Sequence, residues 1–145
     1  MDPRLLVTRE LVESGQRLLT KLAATSVAPV GAMWARRTDR DEQSHLFIVS
    51  PLVEEKGPIA AYSVVGPIQR ELNEETKDLF ATLDEFAVKL LGPSNPLAKG
   101  LLAWYERHND DQPTLHRGSV LGSVPIDGAY LYPATMFAAP ATPPA

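Results

Sequence analysis

Five consecutive residues, His45-Leu46-Phe47-Ile48-Val49, give the strongest indication of the fold in this chain. After His45, apolar side chains occupy both sets of alternating positions, with Phe47 and Val49 on one side and Leu46 and Ile48 on the other. A strand with one solvent-exposed face alternates apolar and polar residues, whereas a strand buried on both faces is apolar throughout. The run therefore predicts a central strand that is covered on both sides, which allows helices on both faces of the sheet.

The elements before this strand are a helix and a second strand. Apolar residues recur at four- and seven-residue offsets from Val7 to Leu22, with Thr8 as a candidate N-cap, so an amphipathic helix is predicted there. The Ser14-Gly15 pair in this helix indicates a close approach by another backbone. Residues 30–37 then predict a strand, and the polar residues 38–43 predict the hairpin turn that leads to the central strand.

The elements after the central strand are a helix, a strand and another helix. Gly57-Pro58 predicts a helix start, and Pro67 predicts a kink or a division into two short helices. Residues 79–83 fit either a strand or a helical extension, and residues 86–91 are the better strand candidate. Asn95-Pro96 then predicts an N-cap followed by proline at the first helical position.

The end of the chain predicts a hairpin and a tail. Residues 115–124 and 129–132 are strand candidates around Asp127-Gly128, a strong turn signal. From residue 133 onward proline and alanine dominate, a composition that predicts a mobile tail over 133–145. The result is one α/β (α+β) domain over residues 1–132, in the order α-β-β-α-β-α-β-β. We expect a mixed sheet of about five strands with three helices.

Composition and charge narrow the classes of function. The chain has 145 residues, no cysteine and a formal net charge of −4. The negative charge argues against a general nucleic-acid binder, because such affinity comes mainly from Lys and Arg neutralising phosphates. The lack of cysteine excludes a disulfide framework and thiol chemistry, and it fits a cytoplasmic location. No apolar run approaches the roughly 18 residues of a membrane span, and residues 1–6 lack the apolar core of a signal peptide.

Three segments of the chain carry a resemblance to known proteins. Residues 50–58, residues 93–97 and residues 127–132 are similar to segments of a group of small, uncharacterised bacterial α/β proteins. The similarity spans roughly residues 8 to 132. It implies the order of elements given above, and it implies no chemistry, because no activity is established for that group.

Candidate catalytic residues are sparse. Glu54, Glu55 and Lys56 are the acidic and basic groups that metal-dependent phosphodiester cleavage would use, with an Asp from the hairpin, Asp39 or Asp41, as a further ligand. This set falls in a predicted loop, where solvated charges are common. The three histidines match no metal-binding spacing. We therefore predict no metal and no cofactor, and we interpret the chain as non-enzymatic in the first instance.

Aromatic residues on two predicted strands indicate contact with another molecule. Trp34 and Arg36 share one strand face, and Tyr130 and Tyr132 share a face of the last strand. Trp, Tyr and Arg are enriched at the hot spots of protein interfaces. Our interpretation is a protein–protein interaction or self-association module that uses these four residues, and the alternatives are their ordinary packing in the core and the small metal-dependent hydrolase above.

Overall fold

The structure is a computed structural model, and it describes residues 8–76, 87–116 and 120–137. The α-helices of this part are α1 (Arg9–Leu22), α2 (Leu52–Lys56), α3 (Pro58–Thr76) and α4 (Pro96–Arg107). The strands are β1 (Gly31–Arg37), β2 (His45–Val49), β3 (Val88–Leu91), β4 (Thr114–His116), β5 (Val120–Leu121) and β6 (Val124–Leu131). The fold is a single mixed α/β domain, as predicted, with a short additional helix, α2.

Strand β2 lies inside a mixed sheet. The strand order is β3-β2-β1-β6-β4, and β5 pairs with β6. β2 is parallel to β3 and antiparallel to β1, and β6 is antiparallel to β1, β4 and β5. Leu46, Phe47, Ile48 and Val49 are each 0% exposed. The prediction of a central strand that is covered on both sides is confirmed.

The two faces of β2 belong to two different apolar clusters. Leu46 and Ile48 pack with residues of α1 and α3. Phe47 and Val49 pack with residues of α4 on the opposite face. We refer to these as the α1 face and the α4 face of the sheet. The sheet is thus sandwiched between helices, which is why β2 is apolar at every position after His45.

The helix starts follow the local sequence. Thr8 accepts a hydrogen bond from the backbone N–H of Leu11 through its hydroxyl oxygen, at 3.2 Å. Asn95 accepts one from the backbone N–H of Leu97 through its amide oxygen, at 2.9 Å, with Pro96 at the first helical position. Both predicted N-caps are confirmed, because a cap depends on only a few neighbouring residues.

Residues 52–76 differ from the sequence predictions in two places. Helix α3 is continuous through Pro67, so the alternative of two short helices is wrong, and the kink stays a prediction. Val65 and Leu72, on either side of Pro67, are each 1% exposed, and their burial offsets the roughly 3 kcal/mol cost of a proline inside a helix. Leu52–Lys56, predicted as a loop, forms the short helix α2, because Leu52 packs into the core on the α1 face.

The C-terminal hairpin turns at Gly122-Ser123 and not at Asp127-Gly128. Gly122 and Ser123 have φ of +56° and +64°, and they join β5 directly to β6. Two successive residues with positive φ form the tight turn whose twist matches that of paired strands. The predicted position of the turn is therefore wrong, although glycine supplies the positive φ in both places.

Asp127-Gly128 instead forms a bulge inside β6. Ala35 pairs with Ala129 and Arg37 pairs with Ile126, so β6 has one more residue than β1 between these pairs. Gly128 adopts a φ of +86° at this point. A glycine with positive φ is the usual solution at a bulge of this kind, which explains why the same dipeptide resembles a turn signal.

The start of the predicted tail packs against the domain. Ala134–Met136 forms a 3₁₀ turn, and Met136 and Phe137 pack against the cluster on the α1 face. The Phe137 ring also stacks on Tyr105 of α4, with ring centroids 6.0 Å apart. Residues 138–145 of the predicted tail lie outside the described residues, and so do the alternatives considered for residues 79–83.

Candidate functional site

One row of paired residues crosses the α1 face of the whole sheet. It consists of Val88, Leu46, Trp34, Tyr130 and Leu115, one residue from each of the strands β3, β2, β1, β6 and β4. Directly paired residues on neighbouring strands point to the same face of a sheet. Val88, Leu46 and Trp34 are at most 2% exposed, whereas Leu115 is 49% exposed. Helices α1 and α3 therefore cover one end of this row and leave its other end open.

Strand β5 carries a second exposed apolar residue. Leu121 packs on the α4 face, so the alternation of a strand places its neighbour Val120 on the other side, where it is 53% exposed. Tyr130 lies between the covered and the uncovered parts and is partly buried. Val120 pairs with Pro125, five residues before Tyr130 on β6, so we call the surface formed by Leu115 and Tyr130 the open corner. It is an apolar part of the sheet that no helix covers in the described residues.

Trp34 and Tyr132 lie beneath helix α1 and not on a surface. Each is 1% exposed. The indole N–H of Trp34 donates to the Tyr132 hydroxyl at 3.1 Å, and that hydroxyl donates to the backbone carbonyl of Val12 at 2.7 Å. Burial raises the pKa of the Tyr132 phenol above its ordinary value. The prediction that Trp34 and Tyr132 contact a partner is corrected, because α1 lies over both rings and the sheet and helix satisfy their polar ends.

Gly15 explains how α1 comes so close to these rings. A side chain at this position would meet the Tyr132 hydroxyl, and it would lie 3.1 Å from the indole nitrogen of Trp34. The sequence predicted a close approach at Ser14-Gly15, and the approaching groups are two side chains instead of a backbone. Tyr130 stands edge-on to Tyr132, with ring centroids 5.2 Å apart, so the buried rings support the exposed part of Tyr130.

Arg36 and Tyr130 remain at the surface. Arg36 forms an ion pair with Asp127, and their side chains are 29% and 28% exposed. The Asp127 carboxylate also accepts a hydrogen bond from the Thr38 hydroxyl at 3.0 Å. Burial raises the pKa of Tyr130 above its ordinary value. Two of the four predicted binding residues therefore lie at the open corner or beside it, and the charge of Arg36 is already matched.

The residues of the predicted hydrolase site differ in their surroundings and do not share one set of contacts. Glu54 accepts a hydrogen bond from the backbone N–H of Ser94 at 2.6 Å. Hydrogen bonding from Ser94, with a smaller contribution from the charge of Lys99, lowers the pKa of Glu54. Glu55 and Lys56 are exposed on α2. Glu54 therefore ties α2 to the loop before α4, and this is a structural role.

Asp41, one of the two candidate ligands from the hairpin, already binds another residue of the chain. Its carboxylate accepts hydrogen bonds from the Arg37 side chain, two at 3.0 Å, and one from the Arg37 backbone N–H at 2.8 Å. Burial raises the pKa of Asp41, but the hydrogen bonds and charge of Arg37 outweigh it, so the pKa lies below its ordinary value. Across residues 8–76, 87–116 and 120–137, no three His, Cys, Asp or Glu side chains are arranged to hold a metal ion.

The histidines form contacts that the sequence did not indicate. His45 lies 3.6 Å from Asp41 in the hairpin. His108 stacks on Trp104 with ring centroids 3.9 Å apart, and His116 meets the same indole edge-on at 5.4 Å. The i, i+4 spacing of Trp104 and His108 could have revealed the contact between these two rings. The contact of Trp104 with His116 joins a helix to a strand and needs the tertiary structure.

Two surface grooves lie along α1, away from all these residues. One, of about 460 Å³, separates α1 from α3; its lining residues are Glu13, Gln16, Arg17, Thr20, Lys21 and Leu72. The other, of about 230 Å³, lies between α1 and the Met136-Phe137 segment. Both are open to solvent and contain none of the residues that the sequence singled out.

No protein family model, curated protein or solved structure shows significant similarity to this chain. The resemblance to small bacterial α/β proteins stays a prediction. Within the described part of the chain, no helix combines the length and the apolar character needed to cross a membrane.

Proposed function

We propose that this chain works by association with another protein chain, through the open corner of its sheet. The observation that carries the proposal is the 49% exposure of Leu115 at the end of a row whose first three members are at most 2% exposed. Contiguous exposed apolar surface marks interaction sites, and Leu115 continues the apolar row of the core onto the surface beside Tyr130.

The backbone at this corner supports the same interpretation. β4 is the last strand in the sheet order, and β6 is its single neighbour among the described strands. An edge strand presents unpaired N–H and C=O groups, to which another strand can add. Proteins commonly protect such edges with short strands, charged residues or proline, and β4 has three residues and follows Pro113. Its middle residue is nevertheless the apolar Leu115, which is 49% exposed.

The rim of the corner is polar. The Arg36–Asp127 ion pair lies on the same face, on β1 and β6, beside Tyr130. Interfaces typically combine an apolar centre with a polar rim, and Tyr and Arg are over-represented in them. The surface thus has the composition of a small interface and supports association more than it supports chemistry.

A photoreactive side chain at position 115 tests the proposal. Leu115 is replaced by p-benzoylphenylalanine, and the protein is irradiated in its host cells. We expect a discrete covalent adduct with a protein chain, whose mass on a denaturing gel identifies either a second copy or a different protein.

The matched control is the same replacement at Ile59, which is 87% exposed on α3 and lies outside the open corner. Position 59 should give no discrete adduct. Equal labelling from the two positions, or no adduct from position 115, would show that the open corner is not a binding surface.

A further inference from the structure

We propose that Tyr62 closes the β3 edge of the sheet against the addition of another strand. Helix α3 brings the Tyr62 side chain to this edge, where its hydroxyl oxygen accepts a hydrogen bond from the backbone N–H of Leu90 at 2.9 Å. The role assigned to Tyr62 goes beyond the proposed function, because it concerns the end of the sheet opposite the open corner and requires no partner there.

Strand β3 forms the second end of the described sheet. It is the first strand in the order β3-β2-β1-β6-β4, and in the described part of the chain it pairs with β2 alone. A strand with one neighbour presents N–H and C=O groups on its other side, and a further strand can bind to them. The outer side of β3 therefore admits another strand unless some group of the chain already occupies it.

The register of β3 shows which of its backbone groups face outward. The N–H of Ser50 donates to the Leu91 carbonyl at 2.9 Å, so the backbone groups of Leu91 face β2. In a parallel ladder the N–H and C=O of one residue point to the same side, and the side alternates along the strand. Two of the four residues of β3, Val88 and Leu90, therefore face away from β2.

The Tyr62 hydroxyl lies where an added strand would place its own acceptor. A carbonyl oxygen that pairs with a backbone N–H lies about 2.9 Å from the nitrogen, and the phenol oxygen is at this distance from Leu90. An added strand would have to displace both this oxygen and the ring that carries it. Val88 is then the single outward-facing residue of β3 that is left for another chain.

The packing of α3 holds Tyr62 at the edge. Ala61 and Val65 of α3 are at most 1% exposed and belong to the cluster on the α1 face, as does the Leu90 side chain. Successive helix residues are about 100° apart, so Tyr62 lies at the border of this buried stripe, and its ring reaches the outer side of β3. Tyr62 is 39% exposed, so it can be replaced without emptying the core.

The two ends of the described sheet are therefore different. At β4 the exposed Leu115 lies in an edge strand, whereas at β3 an outward N–H has received an acceptor from α3. Tyr62 thereby leaves β4 as the end of the sheet that is available to a partner.

Amide hydrogen exchange tests the contact with Leu90. Tyr62→Phe keeps the ring and removes the oxygen, so the Leu90 N–H loses its acceptor. Its exchange should become about tenfold faster, because one hydrogen bond contributes roughly this factor to an opening equilibrium. The N–H of Lys89 faces β2 and should exchange at the same rate in both chains. An unchanged rate at Leu90 would show that the hydroxyl does not occupy this edge.

Light scattering tests whether the edge is closed to other chains. Leu115→Asp serves as the background, because a carboxylate at the open corner opposes association through β4. In this background Tyr62→Ala should raise the weight-average mass above 15.8 kDa by about half at a chain concentration of ~1 mM, because the uncovered β3 edges of two copies pair weakly. Ile59→Ala, a truncation three residues earlier on α3 at a side chain that is 87% exposed, should leave the mass at 15.8 kDa.

A Tyr62→Ala chain whose mass equals that of the Ile59→Ala chain at every concentration overturns the proposal. Should Tyr62→Ala fail to fold, which circular dichroism detects, the exchange rate of Leu90 in Tyr62→Phe decides. The proposed function is judged separately. If the photoreactive group at position 115 captures no protein while Tyr62→Ala associates, the open corner is not a binding surface and the closure of the β3 edge by Tyr62 stands.

Discussion

The hydroxyl of Tyr132 offers the sharpest test of how α1 is attached to the sheet. It accepts a hydrogen bond from the Trp34 indole N–H at 3.1 Å and donates one to the carbonyl of Val12 at 2.7 Å. Tyr132→Phe removes only this oxygen. Because Trp34 is only 1% exposed, its indole N–H is then left in a buried site without a hydrogen-bond partner. A buried donor without a partner costs about 1–3 kcal/mol.

The Val12 carbonyl contributes less to this cost, because a carbonyl inside a helix also accepts the N–H four residues further on. We therefore expect Tyr132→Phe to lower the free energy of unfolding by about 2 kcal/mol. With a urea m-value of about 2 kcal/mol/M for a domain of this size, the midpoint should fall by about 1 M at unchanged slope. Circular dichroism during urea titration measures this shift.

Tyr130→Phe is the matched control. Tyr130 lies two residues away on the same face, and its hydroxyl makes no hydrogen bond to the described residues. Its removal should change the stability by less than about 0.5 kcal/mol. If the two phenylalanine variants unfold at the same urea concentration, the buried hydrogen-bond chain does not attach α1 to the sheet.

Two further predictions concern the hairpin and the packing of α4. Asp41→Asn should destabilise the protein by about 1–3 kcal/mol at pH 7, because the carboxylate loses its charge-assisted hydrogen bonds from Arg37. Since folding lowers the pKa of Asp41 from 3.8, its stabilising effect is complete above that pH and is lost as the pH falls through the lower folded value. Gly100→Ala should cost more than about 2 kcal/mol, because the added methyl group meets the backbone of Gly122. Gly66→Ala, inside α3 and free of such contacts, should instead stabilise the protein by about 0.5–1 kcal/mol.

Each of these has a result that would contradict it. Thermal unfolding from pH 7 down to pH 2 should show the Asp41→Asn deficit shrinking in acid; a deficit that is constant with pH would mean that the carboxylate charge is not involved. For the two alanine variants, urea midpoints that move in the same direction would mean that the contact of Gly100 with Gly122 is not close enough to matter.

The candidate site was only partly predictable. Tyr130 and Arg36 were identified from their residue types, and the structure places them at an open surface or beside one. Trp34 and Tyr132 carry the same signal and are buried, since alternation along a strand assigns residues to a face without showing whether a helix covers it. The exposure of Leu115 was not predicted, because a leucine in a strand is the same in sequence whether it is buried or exposed. Its importance follows from its register with Tyr130.

The sequence alone determined the elements whose causes are local. The apolar run of β2 requires cover on both faces, and Thr8 and Asn95 cap their helices through neighbours two or three residues away. Features that depend on distant partners follow from the packing of the whole domain. Asp127-Gly128 forms a bulge because β1 continues beside it, and the row from Val88 to Leu115 is open at one end because α1 and α3 stop short of β4. Whether a single residue such as Trp34 or Leu115 is buried depends on what packs above its strand, and its residue type alone does not record it.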